Sequence, residues 1–112
     1  MQDSSLPEQV LHFIRNYIDR LETLEVLALL IAAPARHWTI DELSRQMRSS
    51  DAASTMALDA LVRAGLAERE GHTFFFQAAS AELERGARNA LDCYRDRRAS
   101  VIGAIYQNQR GQ

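Results

Sequence analysis

Val10, Leu11, Phe13, Ile14, Tyr17 and Ile18 recur at helical spacing. They predict a first helix over about 7–18, with an apolar stripe too broad for a lone surface helix. Met1–Ser5 ahead of it reads as a polar tail that frays. Pro7 suits a first helical turn, and Glu8 suits the positive end of the helix dipole. The plain reading packs the stripe on the domain; the sharper one packs part of it on a second subunit. A second helix is expected over 20–33, capped by Asp19 with Glu22 near its start. From Val26 to Ala33 it is apolar on every side, which predicts burial all round and the centre of the core. Pro34 ends it, and Ala35–Trp38 reads as a connector.

Thr39-Ile40-Asp41-Glu42 is a capping box. The Thr39 hydroxyl can accept from the third backbone N–H, and Glu42 can reach back to the cap. This opens a short helix over 40–48, with Ile40, Leu43 and Met47 on one face. Arg48-Ser49-Ser50 is the turn, and either serine can cap the next helix, 51–64. Leu58 and Leu61 point inward there, beside Ser54 and Ala57. At about 100° per residue, Asp51, Ala52, Thr55, Met56, Asp59 and Arg63 share the outward face. Gly65 stands where a helix-ending positive φ is wanted. Strands Leu66–Glu70 and Thr73–Gln77 meet at Gly71-His72. Alternation buries either Phe74 and Phe76 or Phe75.

Ser80 caps a last helix over 81–107, roughly 40 Å long at 1.5 Å per residue. Leu83, Ala87, Ala90, Leu91, Tyr94, Val101, Ile102 and Ile105 form its stripe, interrupted by Arg98. Gly86 and Gly103 each cost ~1 kcal/mol inside a helix unless they permit a close approach. A domain this small cannot easily cover so long a stripe. The excess is expected on a second copy in a symmetric dimer, through Phe13, Tyr17, Tyr94, Val101, Ile102 and Ile105.

These elements predict a mostly α fold with a small β-hairpin, one domain over 1–112. The stretch WTIDELSRQMRSSDAASTMALDALVRAGLAEREG resembles the winged helix-turn-helix transcriptional regulators of bacteria, of the MarR and ArsR kind. The shared features are the capped first helix, the serine turn, the paired leucines Leu58 and Leu61, and Ala64-Gly65-Leu66 before the wing. The resemblance covers about a third of the chain closely. It implies that the 51–64 helix enters the major groove, that the wing touches backbone or minor groove, and that the terminal helices dimerise. Ser50, Asp51, Ala53, Thr55 and Met56 would then face bases, with Ser49 in the turn. Arg45, Arg48, Arg69 and His72 would contact phosphate. An apolar effector pocket between the flanking helices is also implied, though no residue marks one.

Charge changes this picture. The chain carries a formal charge of −2, and all 13 of its basic residues are arginine. Affinity for nucleic acid comes largely from neutralising phosphates. Residues 39–79 hold six carboxylates against four arginines, with no basic residue between Arg48 and Arg63. Arg63 near its far end aside, the outward face has none of the Arg, Asn or Gln side chains that read bases most strongly. Arg48 and Ser50 remain placed for phosphate at a helix N-terminus. The alternative is a degenerate winged-helix module that binds protein through Asp51, Met56 and Asp59, with Val62 at the edge. A third reading is a small-molecule-binding or structural dimer. The arginines of 80–112 read as solvated faces and helix ion pairs, such as Glu84 with Arg88.

The remaining chemistry is sparse. Cys93 is the single cysteine, so no intrachain disulfide forms. It reads as a half-buried thiol, with an interchain disulfide or redox switch as the alternative. His12, His37 and His72 show no ligand spacing, so no metal or cofactor is expected. No catalytic motif is present, and no enzyme is expected. No apolar run approaches the ~20 residues of a membrane helix. The opening MQDSSLPEQ lacks the pattern of a secretory leader. A cytoplasmic protein is the expectation.

Overall fold

The computed structural model describes residues 6–110, and the predicted polar tail at 1–5 lies outside them. The elements run α1 (Glu8–Tyr17), α2 (Leu21–Ala32), β1 (Trp38–Thr39), α3 (Ile40–Met47), α4 (Asp51–Ala64), β2 (Ala67–Glu70), β3 (Thr73–Phe76), α5 (Ala81–Asp96) and α6 (Arg98–Arg110). The fold is mostly helical with a small antiparallel sheet.

α2 sits at the centre and packs against α3, α4, α5 and β3. Leu24, Leu27 and Leu30 are fully buried there, against a core that includes Leu43, Leu58, Leu61 and Leu66. The helix is not enclosed all round, as its pattern suggested: Leu29 and Ile31 are half-buried and Ala32 is exposed. A domain of this size has too few elements to cover every face of a central helix. Its start also differs. Arg20 is the N-cap and makes no side-chain cap bond. Asp19 instead accepts from the Thr23 hydroxyl at 2.7 Å.

The sheet has the order β1-β3-β2. The connector before α3 supplies a strand, because Trp38 pairs with Phe74 and Thr39 with Thr73. In the hairpin Ala67 faces Phe76 and Glu70 faces Thr73. Phe74 and Phe76 are buried and Phe75 is half-buried, which decides between the two alternations. Gly65 turns the chain from α4 into β2 at φ 82°, where a side chain would be strained. The Leu66 amide then donates to Leu61 O at 2.9 Å, which closes the helix end.

The predicted helix over 81–107 is two helices. The break falls at Arg97, at φ −137° and ψ 59°, and α6 turns to lie against α1 and α5. Val101 and Ile105 are therefore fully buried within one chain, and Phe13 at 3% and Tyr94 at 9% exposure are largely buried. Within the one chain, the part of this stripe carried by α6, expected on a second copy, is covered by α1. Tyr17 and Ile102 are half-buried against the same core. The end of α6 also caps α1. Asn108 Nδ2 donates to Ile14 O at 3.2 Å and Ile18 O at 3.1 Å, and Gln109 Nε2 to Asp19 O at 2.9 Å. The Ile18 and Asp19 carbonyls lie past the last helical residue, where no further turn supplies a donor; Ile14 O also accepts from the Ile18 amide.

Candidate nucleic-acid interface

The local sequence sets two helices around a tight turn. Thr39 Oγ1 accepts from the Glu42 amide at 3.1 Å, and Glu42 Oε1 accepts from the Thr39 amide at 3.0 Å. α3 closes through Arg48, which is left-handed at φ 56° and ψ 47°, and the Ser49 amide donates to Ser44 O at 3.0 Å. Ser50 is the cap of α4, its Oγ accepting from the Ala53 amide at 3.0 Å. Between the helices, Ser44 Oγ donates to Ser54 Oγ at 3.0 Å in a buried contact. Two polar side chains are thereby satisfied and the pair of helices is fixed in register.

The outward face of α4 presents Asp51, Ala52, Met56, Asp59 and Arg63 as exposed residues, with Ala53 and Thr55 half-buried. Met56 is 49% and Val62 37% exposed. Ser50, Arg45, Arg48, Arg69 and His72 are also exposed, and Ser49 is half-buried.

The arginines are not equally available. Arg45 pairs with Asp41 one turn earlier. Arg36 lies 3.6 Å over the Trp38 ring and 4.0 Å from Glu42. Arg69 donates from Nε to Gly71 O at 3.0 Å, so it braces the hairpin turn. Among the described residues, Arg48 and Arg63 have no carboxylate within ion-pair distance, and Arg48 is the one at the turn.

His37 is a residue that its sequence position did not mark. Its ring stacks on Phe75 with centroids 4.3 Å apart, and Nδ1 lies 3.4 Å from Glu70 Oε1 and 3.3 Å from Thr73 Oγ1. This ties the segment before β1 to the hairpin. The contact spans 36 residues, and no local pattern announces it.

Two other regions carry features of a site. A groove of about 690 Å³ runs between α1 and α5, floored by Phe13, Tyr17, Leu83 and Gly86 and rimmed by Glu8 and Arg85. It lies between flanking helices, but its lining is mixed and not apolar. Cys93 is a free, half-buried thiol. Among the described residues no group of three or more His, Cys, Asp or Glu is placed to hold a metal ion. No helix there is long and apolar enough to cross a membrane. No family model, curated protein or solved structure matches the chain.

Proposed function

We propose that the chain is a DNA-binding regulator of the winged-helix kind, with α4 as the major-groove helix and the β2–β3 hairpin as the wing. One observation carries the reading. Arg48 is exposed and without a carboxylate partner among the described residues, directly before the Ser50-capped N-terminus of α4. A cation beside a helix N-terminus is a combination that suits a backbone phosphate. Arg45 reaches phosphate only by leaving Asp41, so its contribution is smaller.

The test is fluorescence anisotropy of random-sequence duplex DNA at low and moderate salt. Binding should fall steeply with salt, and Arg48→Ala should lower the slope of log K against log salt by about one. Failure to bind even at low salt removes the DNA reading.

A second reading is favoured by Met56, exposed on α4 between Asp51 and Asp59, with the exposed Val62 at the edge. An apolar centre with acidic flanks suits a basic or mixed protein surface. A partner captured by the wild type and lost with Met56→Ala and Asp59→Ala supports it. Capture that ignores both substitutions removes it.

A further inference from the structure

The outward face of α4 changes character along its length. Ala52 and Met56 stand one turn apart and are exposed, Met56 at 49%. Asp51 and Asp59, also exposed, flank this apolar strip, and Thr55 is half-buried beside it. No side chain from Asp51 to Asp59 carries an N–H group. The Ser50 hydroxyl is taken by the Ala53 amide and the Ser54 hydroxyl by Ser44. The Thr55 hydroxyl both donates and accepts, so it selects no base. Arg63 is the outward donor, but it lies about 10 Å further along the axis than Met56. There it lines a hollow with Tyr17, Ile18 and Asp19 at the end of α1. Helices that enter the major groove meet base edges with their N-terminal residues, which here are the apolar strip and its carboxylates.

Base pairs differ in what they offer such a surface. Guanine presents two acceptors, N7 and O6, and calls for a donor. An A·T pair presents the thymine methyl group and the adenine N6 amino group. The first half of α4 has nothing to give guanine, and it has both an apolar surface and acceptors for A·T. Cytosine also offers an amino group, but it brings the guanine acceptors with it. We propose, on the footing that α4 is the major-groove helix, that it selects A·T pairs by packing Ala52 and Met56 on the thymine 5-methyl group, with Asp51 or Asp59 accepting from adenine N6. The carboxylates that weaken attraction to phosphate thus act against guanine, whose acceptors would face theirs with no proton between. Affinity and selection fall on different residues, Arg48 at the backbone and Met56 at the bases.

The test is fluorescence anisotropy at low salt with three labelled duplexes of equal length. One is alternating A·T, one alternating G·C, and one A·T with deoxyuridine in place of thymine. Deoxyuridine keeps the hydrogen-bonding groups of thymine and lacks its methyl. The A·T duplex should bind more tightly than G·C, and each contacted methyl lost should weaken binding about fourfold. Met56→Ala should bring the thymine-to-deoxyuridine ratio towards one without changing the salt slope. Arg48→Ala should lower the salt slope without changing the ratio. Met56 is exposed, so its replacement leaves the core intact. Equal binding of thymine and deoxyuridine duplexes overturns the methyl contact and leaves DNA binding standing. A preference for G·C, or a ratio that Met56→Ala does not move, overturns it too. Failure to bind any of the three removes the DNA reading itself, and the selection with it.

Discussion

The ring of Phe13 covers Gly86 so closely that a Cβ on the glycine would stand 3.1 Å from Cδ1. α1 and α5 meet here without a side chain between them. Phe13 is almost fully buried and has Tyr17 at 5.2 Å between ring centroids, so it has little room to retreat. Gly86→Ala gains ~1 kcal/mol of helix propensity and loses about 2 kcal/mol to overpacking. A net loss of about 1 kcal/mol is expected in urea unfolding. Gly103 is the control, since nothing lies within 4 Å of its Cβ position. Gly103→Ala should stabilise by up to ~1 kcal/mol. Equal effects at both positions would show that the Phe13 contact does not matter.

Ser44 and Ser54 pose a different question, whether a buried polar pair is worth more than its parts. Their hydroxyls share one hydrogen bond at 3.0 Å, with exposures of 6% and 2%. Either single alanine leaves one buried hydroxyl to find another partner, at about 1–2 kcal/mol. The double alanine removes both groups and should cost less than the sum of the singles. A double-mutant cycle measures the difference, and strict additivity would show that the bond does not couple α3 to α4.

What the sequence made legible is local. The Thr39–Glu42 capping box, the serine cap of α4 and the Gly65 turn each depend on residues within one helical turn; the first and last stand in the structure as read, and of the two candidate serines Ser50 is the cap. The Glu84–Arg88 pair also stands as read, for the same reason. For Phe74 to Phe76 the sequence leaves two alternations, and the face that β3 turns to the core beside α2, far away in the chain, decides between them. The break at Arg97 was illegible because no residue there opposes a helix; it follows from where α6 finds cover. For the candidate site, the sequence placed the turn and the outward face of α4. It could not say which arginines were free. Arg45 is held by Asp41 and Arg69 by the Gly71 carbonyl, and those bonds depend on rotamers that no spacing rule fixes.

Tyr94 links α5 to α2 through its hydroxyl, which donates to Glu25 Oε2 at 3.1 Å. Burial raises its pKa above the ordinary 10.0, the hydrogen bond to Glu25 and that carboxylate's charge raise it further, and Arg98 opposes the shift. The folded chain therefore holds the phenol proton to higher pH than the unfolded chain. Its stabilising contribution is complete below pH 10.0 and is lost as pH climbs from there through the folded value. The chain has no lysine, so few other groups titrate in that window. Urea midpoints should fall through the alkaline range in the wild type. Tyr94→Phe should start lower, for want of the hydrogen bond, and fall less. A parallel decline in the two proteins would assign the alkaline loss to another group.

Arg48 sets stability against binding at one residue. Its left-handed conformation costs a residue with a Cβ about 1–2 kcal/mol. Glycine adopts it freely but gives up about 0.5–1 kcal/mol in chain entropy. Arg48→Gly should thus raise unfolding free energy by about 0.5–1 kcal/mol. Arg48→Ala keeps the strain and should leave stability nearly unchanged. Both substitutions remove the same charge, so both should weaken DNA binding equally and lower its salt dependence by about one contact. That pattern, unequal in stability and equal in binding, separates the guanidinium from the turn that presents it. Should Arg48→Gly instead destabilise the fold, the arginine side chain holds the turn in place. Should both variants bind DNA like the wild type, phosphate recognition at this turn is excluded and the exposed Met56 face becomes the surface to pursue.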